Sequence, residues 1–102
     1  MNISEIIKEL NRLIKEKYSD FKGSYLYGSR AKGNFKEDSD IDVVVLFDEL
    51  NRQKDLDICG IVGDIEYKYN VLIDFQVFTL DKLKLNPFYF DEVTKKGVFY
   101  AI

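Results

Sequence analysis

The run from Ile41 to Phe47, IDVVVLF, limits what this chain can fold into more than any other stretch of it. β-Branched and apolar residues in near-unbroken succession suit a strand buried in a sheet, because their side chains pack well on a pleated surface and crowd a helix. Its one charged residue, Asp42, stands at the entrance, and Asp40 lies two residues before it. Side chains two apart on a strand share a face, so the two carboxylates are expected to project together, with Cα atoms about 6.5–7 Å apart. Two unpaired carboxylates at that spacing repel each other. A divalent cation would remove the repulsion, and hard oxygen ligands favour Mg²⁺ or Mn²⁺. The plainer alternative makes Asp40 a turn residue and Asp42 an exposed edge position.

Just upstream, Gly28, Ser29 and Gly33 follow a short strand-like segment, Ser24 to Tyr27. Glycines accept unusual dihedrals and let backbone N–H groups approach an anion closely, and a helical turn beginning there would point its amide dipoles at that anion. Arg30 and Lys32 add positive charge, and the Ser29 hydroxyl can donate to a phosphate oxygen. An ordinary loop is the alternative for so short a pattern. Further on, Val71 to Thr79 reads VLIDFQVFT, a second strand-like run with a single charge, Asp74. A charge inside a strand is costly unless it is paired or coordinated. If this strand lies beside Ile41–Phe47 with Asp74 on the face of Asp40 and Asp42, three carboxylates converge. Such a set suffices for two metal ions about 3.5–4 Å apart. Alternation alone also allows a solvent-facing Asp74 with a basic partner, leaving Ile73 and Phe75 as the core face.

Taken together, Gly28-Ser29-Arg30-Ala31-Lys32-Gly33, then Ser39-Asp40-Ile41-Asp42, then Asp74 resemble the DNA polymerase β-like nucleotidyltransferase superfamily. The compact length is most similar to its minimal, MntA-like branch, and the resemblance covers essentially the whole chain. Lys32 stands where most minimal members carry Arg, which keeps the charge but loses the planar fork. The resemblance implies a palm-like fold and metal-dependent transfer of AMP from ATP to a hydroxyl. Gly28 and Ser29 would hold the β- and γ-phosphates, and Asp40 and Asp42 the metal that carries the triphosphate. Asp74 would join them at a second ion and help orient or deprotonate the acceptor. Arg30 and Lys32 would neutralise phosphate charge, Gly33 would belong to the same turn, and Ser39 would orient the following acid or cap the turn. It also implies a helical HEPN-type toxin as the partner whose tyrosine accepts AMP. Transfer to a small molecule, or a non-catalytic nucleotide- or partner-binding subunit, are the alternatives, and a purely structural α/β domain is a third.

Composition narrows the chemistry. The chain has 102 residues, no histidine and one cysteine. That length is expected to make one domain, residues 1–102, which would borrow part of its site from a partner or a homo-oligomer. Without histidine there is no Ser-His-Asp triad, and Cys59 cannot form an internal disulfide or a zinc site. Cys59 reads as a small buried helix residue. The net charge of −3 argues against broad capture of nucleic acid. No run has the length of a membrane span or the form of a signal peptide, so a cytoplasmic protein is expected.

The remaining segments read as scaffold. Asn2 and Glu5 form a plausible capping box, and Ile3, Ile6, Ile7, Leu10, Leu13 and Ile14 recur at helical spacing. Leu56, Ile58, Ile61, Val62, Ile65 and Tyr69 fit a second amphipathic helix, with Gly60 and Gly63 either tolerated inside it or allowing close approach. Pro87 marks a break before a short helix over 88–95, Gly97 ends it, and residues 98–102 return as an edge strand. Most late aromatic residues, Phe88, Tyr89, Phe90, Phe99 and Tyr100, are expected in core or edge packing, with any exposed subset forming a partner surface. The order implies an α/β (α+β) fold, a mixed sheet with helices packed mainly on one face and its first two strands antiparallel.

Overall fold

A computed structural model describes residues 2–28 and 40–102. Its centre is a four-stranded mixed sheet in the order β3-β2-β1-β4, with β1 at Phe21–Tyr27, β2 at Ile41–Phe47, β3 at Ile73–Phe78 and β4 at Val98–Tyr100. β1 pairs antiparallel with both β2 and β4, while β2 and β3 run parallel. β2 therefore lies between two neighbours. Ile41, Val43, Val44, Val45, Leu46 and Phe47 are all buried, as expected of an apolar run covered on both faces.

Helix α1, Ile3–Lys17, starts where Asn2 accepts a hydrogen bond from the Glu5 backbone N–H at 3.3 Å. Its apolar stripe, Ile6, Ile7, Leu10 and Ile14, is buried against β1 and β2. Helix α2, Arg52–Tyr69, is capped by Asn51 and closed by Asn70 in the left-handed region, and it adds Ile58, Val62 and Ile65 to the same core. One buried polar group ties α1 to two strands. Asn11 donates to the Tyr100 carbonyl at 2.9 Å and accepts from the Ser24 hydroxyl at 2.6 Å, so neither end of its amide is left unsatisfied.

The opposite face carries two short helices, α3 at Leu80–Lys84 and α4 at Pro87–Thr94. Leu83 and Val93 pack there on Val44 and Leu46, with Tyr25, Tyr27, Phe78, Tyr89 and Phe90 around them. The two long helices cover one face and the two short ones part of the other. Helix α3 has no counterpart among the sequence expectations, because five residues capped by Thr79 are too few to show a helical period.

Several assignments shift. β1 begins at Phe21, earlier than the expected Ser24, because Gly23 (φ 120°) carries a register irregularity that lets buried Phe21 rejoin the sheet opposite Phe47. Cys59 is exposed, not buried. It follows Ile58, and about 100° of helical rotation turns it away from the face that Ile58, Val62 and Ile65 bury. Leu56 likewise points outward. Among the described residues, no atom outside α2 lies within 4 Å of where a Cβ on Gly60 or Gly63 would stand, so neither glycine serves close packing against them. The late aromatics divide. Tyr89, Phe90 and Tyr100 are partly buried, whereas Phe88 is 90% exposed and Phe99 lies on the edge strand at 45%. Among the described residues, no helix is long and apolar enough to cross a membrane.

Candidate active site

The parallel register sets Asp42 opposite Asp74, so their side chains stand level on adjacent strands. On the other flank of β2, the antiparallel register sets Tyr27 opposite Asp42. Tyr27, Asp42 and Asp74 thus form a row across three strands. Strand alternation places that row on the face of Tyr25, Val44 and Leu46, away from α1 and α2. It lies at the end of β2 where the chain enters the sheet. Asp40 is exposed just ahead of β2.

Gly28, which follows β1, lies against this row. Gly28 has φ 75°, and a Cβ built on it would come within 2.4 Å of Asp42 Oδ2. Both the dihedral and the space demand glycine here. The backbone that begins the Gly-Ser turn consequently runs beside the carboxylate. Ser29, Arg30, Lys32, Gly33 and Ser39 lie outside the described residues.

Asp42 has its carboxyl pKa raised above the ordinary aspartate range, first by burial and then by the negative charges of Asp74 and Asp40. Among the described residues, no lysine or arginine forms an ion pair with any of the three acids. Asp74 is the second residue of an edge strand and its side chain is exposed. Water thus relieves the burial cost expected for a charge within a strand, and no basic partner is needed. Among the described residues, no group of three or more Asp, Glu, Cys or His side chains is already gathered as a metal cage. The structure pairs Asp42 with Asp74 and leaves Asp40 alongside. In donor chemistry this set fits a hard divalent cation: carboxylate oxygens that repel one another, one of them partly desolvated.

The phenol of the row, Tyr27, meets a second phenol, Tyr89. The Tyr27 and Tyr89 hydroxyls are 2.8 Å apart, and their rings meet edge to face with centroids 5.7 Å apart. Burial is the largest cause raising both phenol pKa values, and Asp42 and Asp74 push the same way, so both stay neutral. Only the antiparallel register shows that Tyr27 shares the face of Asp42. Nothing in the sequence signals Tyr89, which lies 62 residues further along. A separate cleft of about 310 Å³, lined in part by Lys22, Asp48 and Thr79, opens at the opposite end of β2 and holds none of these groups.

The chain matches the family model "Polymerase beta, Nucleotidyltransferase" over residues 7–100. It is 34% identical to a Methanocaldococcus jannaschii protein named as a protein adenylyltransferase, MJ0141, across 96% of this chain and 98% of the relative. A second protein of that organism, MJ1379, also named as a protein adenylyltransferase, is 45% identical over 48% of this chain and 48% of its own. Among solved structures, a chain of a toxin–antitoxin complex with AMP-PNP superposes with a TM-score of 0.66 at 19% identity, covering 97% of this chain and 73% of that one. A chain from the complex of tri-AMPylated Shewanella oneidensis HEPN toxin with MNT antitoxin gives a TM-score of 0.60 at 15% identity, over 96% and 71%. At these identities the structural likeness speaks for the fold. The family match spans nearly the whole chain and includes the acid row, so this chain belongs to the polymerase beta nucleotidyltransferase family and is a nucleotidyltransferase enzyme.

Proposed function

We infer that the protein transfers AMP from ATP to a hydroxyl, with a tyrosine of a HEPN-type partner as the acceptor. The observation that carries this reading is the register that brings Asp42 and Asp74 together, with the Gly28 backbone lying against Asp42. In the reaction, the acceptor oxygen bonds to the α-phosphorus while the bond from that phosphorus to the oxygen bridging the β-phosphate breaks. Pyrophosphate leaves, and the acceptor's proton passes to a carboxylate, the role the family resemblance gives to Asp74. Asp40, Asp42 and Asp74 would hold Mg²⁺ or Mn²⁺, two ions in the full set. A bound cation supplies charge neutralisation at the phosphate oxygens.

Gly28, Ser29 and Gly33 supply backbone and hydroxyl donors to the triphosphate, Arg30 and Lys32 offset its charge, and Ser39 orients Asp40. The acceptor is argued from the relatives. Two are named as protein adenylyltransferases, and one structural neighbour comes from a complex with an AMPylated HEPN toxin.

The test is incubation with Mg²⁺ and α-labelled ATP, with and without a helical protein encoded beside this one, using wild type and Asp40→Asn and Asp42→Asn variants. Label on the partner with wild type alone is the expected result. Nucleotide binding without transfer to the partner or to small hydroxylated molecules would point to a non-catalytic subunit. Failure to bind nucleotide with a divalent cation would sink the reading.

A further inference from the structure

The hydroxyls of Tyr27 and Tyr89 are bonded to each other, and either can be the donor. Each phenol has one proton, so the pair uses one in its own bond and keeps one. Among the described residues, no acceptor takes the second. Its position is what matters. Tyr27 is the cross-strand neighbour of Asp42, itself the neighbour of Asp74. Tyr89 is held from behind, because its ring packs on Phe78 with centroids 5.9 Å apart and its backbone N–H donates to the Asn86 cap at 3.1 Å. Docking α4 on the sheet needs the rings and not the hydroxyls, since phenylalanine makes the same edge-to-face contact. Two carboxylates alone repel a phosphate. A neutral O–H donor beside them does not.

We propose that the Tyr27–Tyr89 hydroxyl pair is a binding element of the acid row, donating its second O–H to an oxygen of a phosphate-bearing ligand that arrives with a divalent cation. The inference rests on the nucleotide reading above and extends it to α4, which lies outside the glycine turn and the three acids. The pair's proton order can reverse. Removing one hydroxyl leaves the other phenol with a proton to give, whereas removing both leaves none. A packing contact has no such pattern.

The experiment measures binding of α,β-methylene-ATP with Mn²⁺ by titration calorimetry for wild type, Tyr27→Phe, Tyr89→Phe and the double variant, with thermal unfolding recorded in parallel. The expected result is a loss below about threefold for each single variant and of roughly tenfold or more for the double, the size of one hydrogen bond to a charged group. Double-variant affinity within twofold of wild type overturns this inference alone. Equal losses in the single and double variants overturn the shared-proton arrangement. Absence of binding by the wild type overturns the nucleotide reading and this inference with it. If the double variant does not fold, a tenfold loss in either single variant that retains wild-type unfolding behaviour also overturns the sharing.

Discussion

Replacing Gly28 with alanine should damage the site more than the fold. A Cβ at this position would stand 2.4 Å from Asp42 Oδ2, and ordinary contact begins at 3.4 Å, so the oxygen must retreat by about 1 Å, the difference of those two distances. An aspartate side chain can rotate that far at modest cost. The backbone cannot adjust as easily, because φ 75° disfavours any residue with a Cβ. That term is about 1–2 kcal/mol, which for a domain of this size lowers Tm by roughly 5–15 °C. The functional term is as large or larger. A 1 Å displacement of a group that positions a reacting ligand costs on the order of 10²-fold. Gly28→Ala should therefore fold cooperatively, unfold at a somewhat lower temperature, and lose about 10- to 100-fold in Mn²⁺-supported nucleotide binding and AMP transfer. Calorimetry and labelled-ATP turnover on the same preparation separate the two effects. A variant with its Tm lowered as stated but affinity and turnover within twofold of wild type would refute the argument that the glycine serves Asp42.

Three further outcomes follow from the same structure. Because burial, Asp74 and Asp40 raise the Asp42 carboxyl pKa, its ionised form is disfavoured in the fold, so its cost is absent below the unfolded-state pKa and present above it. Asp42→Asn should thus raise Tm without divalent cations at pH 7 and leave it unchanged near pH 3; a lower Tm at pH 7 would contradict this. Lys54 is 6% exposed, donates to Asp20 at 2.6 Å and to the Glu49 carbonyl at 2.7 Å, and lies over the Tyr18 and Phe47 rings. Lys54→Ala should cost about 1–3 kcal/mol in urea titrations, below the range for fully buried pairs because Asp20 is partly solvated. The Lys54 hydrogen bond is the largest cause lowering the Asp20 pKa, so the contribution of this pair is full above the unfolded-state value and fades as pH falls through the folded one. A Lys54→Ala penalty unchanged down to pH 2 would refute the pairing. Finally, Gly60→Ala and Gly63→Ala should each stabilise α2 by about 0.8–1 kcal/mol, since among the described residues nothing outside the helix stands near either position; a loss of stability would show a contact beyond those residues.

Much of the scaffold is legible because it depends on local periodicity. The α1 stripe follows from apolar residues at helical spacing, and β2 from a run that no helix or loop accommodates well. The caps at Asn2 and the break at Pro87 are side-chain and ring effects readable from neighbouring residues. Legibility fails where the deciding contact is distant. Cys59 and Ile58 differ by one residue, and only the docking angle of α2 decides which is buried. The strand-like composition begins at Ser24, and only the pairing of Gly23 with β2 carries β1 back to Phe21. Helix α3 exists because Leu83 finds Val44 and Leu46 on the sheet, not because LDKLK has any pattern of its own.

The candidate site divides along the same line. The sequence by itself determined that Asp42 opens a buried strand with Asp40 two residues before it, that glycines precede both, and that Asp74 belongs to another strand, because these follow from a two-residue period and from composition. The tertiary structure decided that β3 lies parallel to β2 in the register that sets Asp74 level with Asp42, since shifting that register by one residue would turn Asp74 to the other face. It also decided that Gly28 presses on Asp42 and that Tyr89 reaches Tyr27. Those contacts join residues from different elements, and their distances are set by how the sheet and α4 pack, which no local pattern encodes.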